Sequence, residues 1–217
     1  MRDPTVLVWP DSLFRPAGSS ATIDRPLFKG PKPLSGREQI VAADGGGWLI
    51  SYSGIPIYGS NFSTWRALWI KIAAMGLPVY VAPDLITAVP AATSSTFSDL
   101  ESFSDSTDFA QSTGDCVLSA AAVRGTRTIS VTNSSSRARS AGDWFELDGR
   151  AHIIQEINST EWTIWPALRS DYVSGTVLEI DDPRVKVYLT PDSKGATMTH
   201  DTRQVAMMSL DFVEAGW

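Results

Sequence analysis

The chain has 217 residues, 43% of them hydrophobic and 19% charged, with a formal net charge of −6. That length allows one large domain or two small ones, each with a core of its own. The acidic balance argues against a general affinity for nucleic-acid backbone, which needs concentrated Lys and Arg.

Met1 to Pro33 holds Pro4, Pro10, Pro16, Pro26, Pro31 and Pro33, a density that rules out a long helix and disfavours central strands. Thr5 to Trp9 remains as a short extended piece. The segment is either an arm laid across a neighbouring surface or a loop wrapped on its own domain. MRDPTVLVWP has no signal-peptide apolar region, and no apolar run in the chain approaches the ~20 residues that span a bilayer. A protein made in a cytosol, with no membrane insertion, is the expectation.

From Arg37 the pattern becomes ordered. Glu38 to Ala42 reads as a strand, Asp44-Gly45-Gly46-Gly47 as a turn, and Trp48 to Tyr52 as the partner strand of a hairpin. The glycines do not form a phosphate cradle, because no Lys-Ser/Thr follows them and the next residues are strand-like. Asn61 to Gly76 is the one clear helix. Ser63 or Thr64 can cap its start, Gly76 suits a left-handed residue after its end, and Trp65, Leu68, Trp69 and Ile72 line one apolar face. Leu77 to Ala82 leads back as a short strand.

Ala88 to Gly114 is rich in Ser, Thr, Asp and Ala, and repeats itself at Thr96-Phe97-Ser98-Asp99 and Ser102-Phe103-Ser104-Asp105. With no periodic apolar face it reads as a linker tacked down by Phe97, Phe103 and Phe109. The glycine and terminal glutamate of an EF-hand calcium loop are absent.

Cys116, the single cysteine, leaves no intramolecular disulfide and no thiolate zinc site, and reads as a small core residue. Cys116 to Ile180 is a run of five or six short strands, at Val117 to Ala120, Thr128 to Val131, a three-stranded meander from Gly142 to Arg169, and Thr176 to Ile180. Strands this short, with no helix among them, fit a small barrel or sandwich. In the meander, Asp148-Gly149 is a strong hairpin signal because both turn residues must tolerate positive φ. It sets Leu147 opposite Arg150, Phe145 opposite His152 and Trp144 opposite Ile153. A second turn near Asn158-Ser159 leads into Glu161 to Trp165, and Pro166, with no N–H to donate, ends the ladder.

Arg184 to Leu189 and Gln204 to Val213 are strands too apolar to stand alone as a hairpin, so they return to the first sheet. The fold class is therefore mainly β. A β-sandwich-like domain with one helix (61–76) is interrupted by a small antiparallel, OB-like barrel. Residues 1–92 with 183–217 form the host domain, 93–112 the Ser/Asp-rich linker, and 113–182 the insertion.

Chemistry is sparse. His152 lies in mid-strand, His200 in a polar loop, and no Gly-x-Ser-x-Gly elbow accompanies them, so neither catalysis nor metal binding has a motif. Asp181-Asp182 reads as a turn before Pro183. Glu146 and Glu156 could serve a glycosidase, though Glu is equally usual on the wet face of a strand. Of eight tryptophans, Trp144, Trp162 and Trp165 concentrate in the meander. Exposed, they would be glycan-stacking residues of a carbohydrate-binding module; buried, they fill a barrel.

Gly142-Asp143-Trp144-Phe145-Glu146-Leu147-Asp148-Gly149-Arg150-Ala151-His152, followed by Trp165-Pro166-Ala167-Leu168-Arg169 and Gly175, resembles a small barrel module of tailed-bacteriophage tail-tip and baseplate proteins. The layout from 37 to 215, a sheet-and-helix domain interrupted by a barrel, is similar to that of the distal tail and baseplate hub proteins. The resemblance implies a non-enzymatic structural virion protein of the viral tail, made in the bacterial host cytoplasm and needing no cofactor. It implies a homo-oligomeric, hexameric ring, with tail tube, baseplate hub and tail fibre proteins as partners. The Pro-rich N-terminus matches nothing in that family.

Overall fold

The computed structural model describes residues 3, 5–24, 27–29, 40–42, 46–84, 116–133, 139–191, 193 and 205–215. They divide into two units, Met1–Leu85 with Asp148–Arg150 and Arg184–Trp217, and Ile86–Leu147 with Ala151–Pro183. In the first unit the strands are β1 (Leu7–Val8), β2 (Gly18–Asp24), β3 (Leu27–Lys29), β4 (Ile40–Ala42), β5 (Gly47–Tyr58) and β6 (Val79–Val81). The second contributes β7 (Cys116–Leu118), β8 (Thr128–Asn133), β9 (Trp144–Leu147), β10 (Arg150–Asn158), β11 (Glu161–Trp165) and β12 (Val177–Leu178). After it come β13 (Val185–Leu189) and β14 (Val205–Glu214), back in the first unit. The chain is mainly β, with a barrel-like insertion and, among the described residues, one α-helix.

The first sheet runs β1-β6-β13-β14-β5-β2, with β1 parallel to β6 and every other pair antiparallel. Its long central strand, β5, changes phase partway. Trp48, Ile50 and Tyr52 are buried, and then Ile55 and Ile57. Gly54 makes the shift possible. It has φ +64°, and the register with β14 slips between Met208 and Leu210, so that Ser53 and Gly54 together face one residue. Such a bulge moves the next side chains by one position and keeps both halves of β5 aimed at one core. On β14, Ala206, Met208, Leu210 and Phe212 alternate inward without a break.

That core is aromatic. Trp9 meets Tyr52, Trp65 and Phe212 edge-on with ring centroids 5.6, 6.2 and 6.0 Å away, and its indole N–H donates to the Phe14 carbonyl at 3.0 Å. The proline-rich start of the chain is thus a strap on its own unit. Arg184 holds the strap by pairing with Asp11 at 2.7 Å and donating to the Trp9 carbonyl at 3.4 Å.

The helix differs in detail from the expected 61–76. A 3-10 turn, Gly59–Asn61, precedes α1 (Phe62–Trp69), and a π-helical turn, Ile70–Ala74, follows it. Neither Ser63 nor Thr64 caps it; the N-cap is Asn61, whose side chain makes no capping bond, because the chain enters already coiled and Phe62 N–H bonds Gly59. Its end is as expected. Gly76 has φ +62°, and Leu77 N–H reaches back to the Lys71 carbonyl at 3.1 Å. Trp65 and Ile72 are buried.

The expected hairpin of Glu38 to Ala42 with Trp48 to Tyr52 is not formed. β4 pairs with β3, while β2 and β14 occupy the two edges of β5. A strand has only two edges, so β5 has no place for β4. The linker residues 93–112, the whole Ala88-to-Gly114 stretch with its three phenylalanines, and His200 lie outside the described residues.

In the second unit six strands run β12-β7-β8-β11-β10-β9. A bridge joins the two ends of that order: Glu146 N–H donates to the Glu179 carbonyl at 2.7 Å, and Glu179 N–H returns the bond at 3.1 Å. The sheet is thereby nearly closed, which removes most of its open edge. Leu118, Val131, Phe145, Leu147, Ile154 and Ile164 fill the interior, with Cys116 buried beside them.

The turn residues Asp148–Arg150 belong to the first unit by their contacts. Gly149 accepts a hydrogen bond from Lys186 N–H at 2.9 Å, and a Cβ on it would stand 2.7 Å from the Tyr80 ring. Its φ is +78°. Gly149→Val should therefore cost on the order of 2–4 kcal/mol, from strain and overpacking together. Urea unfolding of the full chain measures it, and a loss under about 0.5 kcal/mol would mean that turn and ring are not in contact.

Asp3, beside the strap, carries a carboxyl held below its usual range by the Thr5 hydroxyl (2.6 Å) and then the Thr5 N–H (2.9 Å). A depressed native value means that this contribution is complete above the ordinary carboxylate pKa and is lost as pH falls through the lowered one. An NMR titration should place the Asp3 midpoint below that of an unstructured peptide, and Thr5→Val should move it back up.

Candidate functional site

Among the described residues, chemistry-bearing side chains gather in the meander β9-β10-β11, and its shape follows from a few residues with special backbone. Asp148 (φ 53°) and Gly149 (φ 78°) make the tight turn expected of Asp-Gly, since both central positions are left-handed. At the other end Gly142, φ 96°, is the third residue of a turn closed by Asp143 N–H on the Ser140 carbonyl at 3.1 Å. Gly142 N–H donates to the Ile154 carbonyl at 2.7 Å and Ile154 N–H to the Asp143 carbonyl at 3.0 Å. Two residues thus face one, a glycine bulge. The 143–154 pair lies on the register that Leu147 opposite Arg150 implies. Between β10 and β11 the register shifts again between Ile154 and Glu156, and Ser159 (φ 55°) turns the chain so that Asn158 faces Glu161.

Most of the candidate side chains are buried, and β9 is buried on both faces, since its consecutive residues point to opposite sides. Trp144 is 8% exposed and Trp162 3%, whereas Trp165 is half-buried. A ring that stacks on sugar needs an open face, and of the three only Trp165 keeps appreciable open surface. The ring of His152 stacks on Phe145 with centroids 5.3 Å apart, and Trp162 meets the same Phe145 edge-on at 6.0 Å. Nδ1 of His152 lies 2.9 Å from the Pro166 carbonyl, which can only accept, so Nδ1 carries the proton. The Trp165–Pro166 bond is cis.

The two candidate carboxylates are in different surroundings. Glu146 is 3% exposed, and Glu156 stands in solvent on β10 opposite Thr163. A glycosidase pair must reach one bond from a common cleft, and Glu146 is closed off from solvent where Glu156 is open to it. Asp181 and Asp182 form the expected turn; their backbone N–H groups donate to the Glu179 carboxylate at 3.2 and 3.1 Å. Cys116 is buried, its thiol donating to Asn133 Oδ1 at 3.2 Å. Among the described residues no three His, Cys, Asp or Glu side chains gather as metal ligands, and no helix is long and apolar enough to cross a membrane.

What the sequence reading missed is a pocket of about 330 Å³ where the end of β8 meets the β10–β11 turn. Its lining includes buried Val131 and Trp162 and half-buried Ile157, which also belong to or pack against the barrel core. Exposed Thr132, Asn133, Ser159 and Thr160, together with Arg139, complete the lining. The Arg139 side chain is 6% exposed, with its guanidinium 3.8 Å from Asp181. Arg-Ala-Arg at 137–139, basic residues in an acidic chain, was the only local signal for it.

No protein-family model matches this sequence, and no curated protein matches it either.

Trp162→Ala should act as a core deletion and cost about 3–5 kcal/mol in chemical denaturation. A variant with wild-type stability would return Trp162 to the surface.

Proposed function

We propose that this chain is a structural component of a bacteriophage tail tip, of the distal tail or baseplate hub type. In this reading the first unit assembles with copies of itself into a ring, and the barrel-like insertion meets neighbouring hub or fibre proteins. One observation carries it. β6 and β13, the first-sheet strands on either side of the inserted residues, are adjacent antiparallel neighbours in that sheet. The insertion therefore leaves its host sheet unbroken, a layout similar to that of the distal tail and baseplate hub proteins that the meander motifs resemble. Exposed apolar side chains on the first unit, among them Ile70, Met75 and Met207, are of the kind that self-assembly covers.

Native mass spectrometry across a concentration series, with electron microscopy of the same sample, tests the reading. A closed ring, hexameric by the resemblance, is the expected species. A chain that stays monomeric at the highest concentration would overturn it.

A further inference from the structure

We infer that the second unit carries a contact surface with its own local two-fold axis, and that its partner is the same surface on a second copy of this chain. The contact is separate from ring assembly and does not rest on it.

Two segments build it, LSAAAVRGT (118–126) and LRSDYVSGT (168–176), which share Leu, Val, Gly and Thr at matching positions. Their hydrogen bonds match as well. Gly125 N–H donates to the Leu168 carbonyl and Gly175 N–H to the Leu118 carbonyl, both at 2.7 Å. Leu168 N–H reaches the Thr126 carbonyl and Leu118 N–H the Thr176 carbonyl, both at 2.9 Å. Gly125 and Gly175 have φ 85° and 84°, in turns where the Thr N–H bonds the Val carbonyl at 3.2 Å. Ala122 and Tyr172, bridged by bonds of 2.9 and 2.8 Å, sit at the centre. Each segment is the other's mate about a local two-fold axis.

Alternation decides what this motif shows to water. Ala122 is in the barrel core and Tyr172 packs against it, so Ala121, Val123, Asp171 and Val173 point the other way. All four are exposed, Val123 by 63% and Val173 by 73%. The bridge is antiparallel, which sets Val123 opposite Asp171 and Ala121 opposite Val173. A contact between two copies of one surface requires that the surface be complementary to itself. Here the valines lie on a diagonal, and the charges that break the symmetry, Arg124 and Asp171, are opposite in sign and stand at one end. Arg124 N–H donates to Asp171 Oδ1 at 2.7 Å, which holds the carboxylate there. With the axis between copies along the segments, Arg124 of each copy meets Asp171 of the other, and Val123 of each lies beside Val173 of the other. The face is small, so the contact is weak and depends on this match.

The test follows the full-length protein by NMR and sedimentation over a concentration series. The amides of Val123, Arg124, Asp171 and Val173 should shift with concentration, giving a Kd on the order of 1 mM per contact that weakens with added salt. Arg124→Glu and Asp171→Lys should each weaken self-association about tenfold or more, because like charges then meet at both places. An equal mixture of the two variants should associate again, because each charge then finds its opposite. Val173→Glu, at an exposed position, should abolish the contact with the unfolding curve unchanged, which keeps the test decisive if Asp171→Lys does not fold. Rings are read apart from this contact: it joins whole rings in pairs, and the charge variants should leave single rings. No concentration dependence at these amides several times above that Kd, or shifts confined to the first unit, would overturn the inference. A mixture no better than its components would overturn the pairing of Arg124 with Asp171.

Discussion

The ladder between β5 and β14 is the constraint on which the first unit depends. It joins segments from opposite ends of the chain, and Ser51 donates to Asp211 across 160 residues at 2.6 Å. Closing so long a loop is less costly than its length suggests, since the entropy grows only as the logarithm of the number of residues. A whole second unit can therefore sit between the two strands. The bulge at Gly54 is what lets the ladder face one core along its full length. Without it the half of β5 from Ile55 onward would present Pro56 and Tyr58 inward.

Around that ladder the aromatic core and a few polar ties determine where the other segments go. Trp9 brings the strap under the sheet, and Tyr52 ties the end of β6 by donating to the Ala82 carbonyl at 2.8 Å. Glu214, 3% exposed, accepts from Trp48 N–H at 3.1 Å and faces Arg150 at 3.4 Å. A buried carboxylate is tolerated when it has such partners, and removing one of them weakens that compensation.

In the second unit the same devices shape a surface. The glycine bulge at Gly142, the shift after Ile154 and the left-handed Ser159 each re-aim side chains by one position. β9 is buried on both faces, Trp144 and Glu146 as well as the core residues Phe145 and Leu147, and a pocket opens beside the β10–β11 turn.

Local patterns in the sequence were enough for the β-rich class, the helix with its Gly76 terminus, the Asp148-Gly149 turn and the return of the last two strands to the first sheet. Each of these rests on contacts within a few residues or on a simple apolar period, and such signals survive in a linear reading. The partner of β5 did not survive in it. Sequence neighbours suggested β4, but the edges of β5 were taken by β2 and by β14, which long-range packing alone could choose. The side-chain environments were equally hidden. Trp, Glu and His in one meander favoured a core but left a site open, because the sequence does not show that both faces of β9 are buried. The sequence by itself determined what each short segment could become. Tertiary structure decided which strand lay beside which and which face of each met water, since both depend on residues far apart in the chain competing for the same edge and the same core.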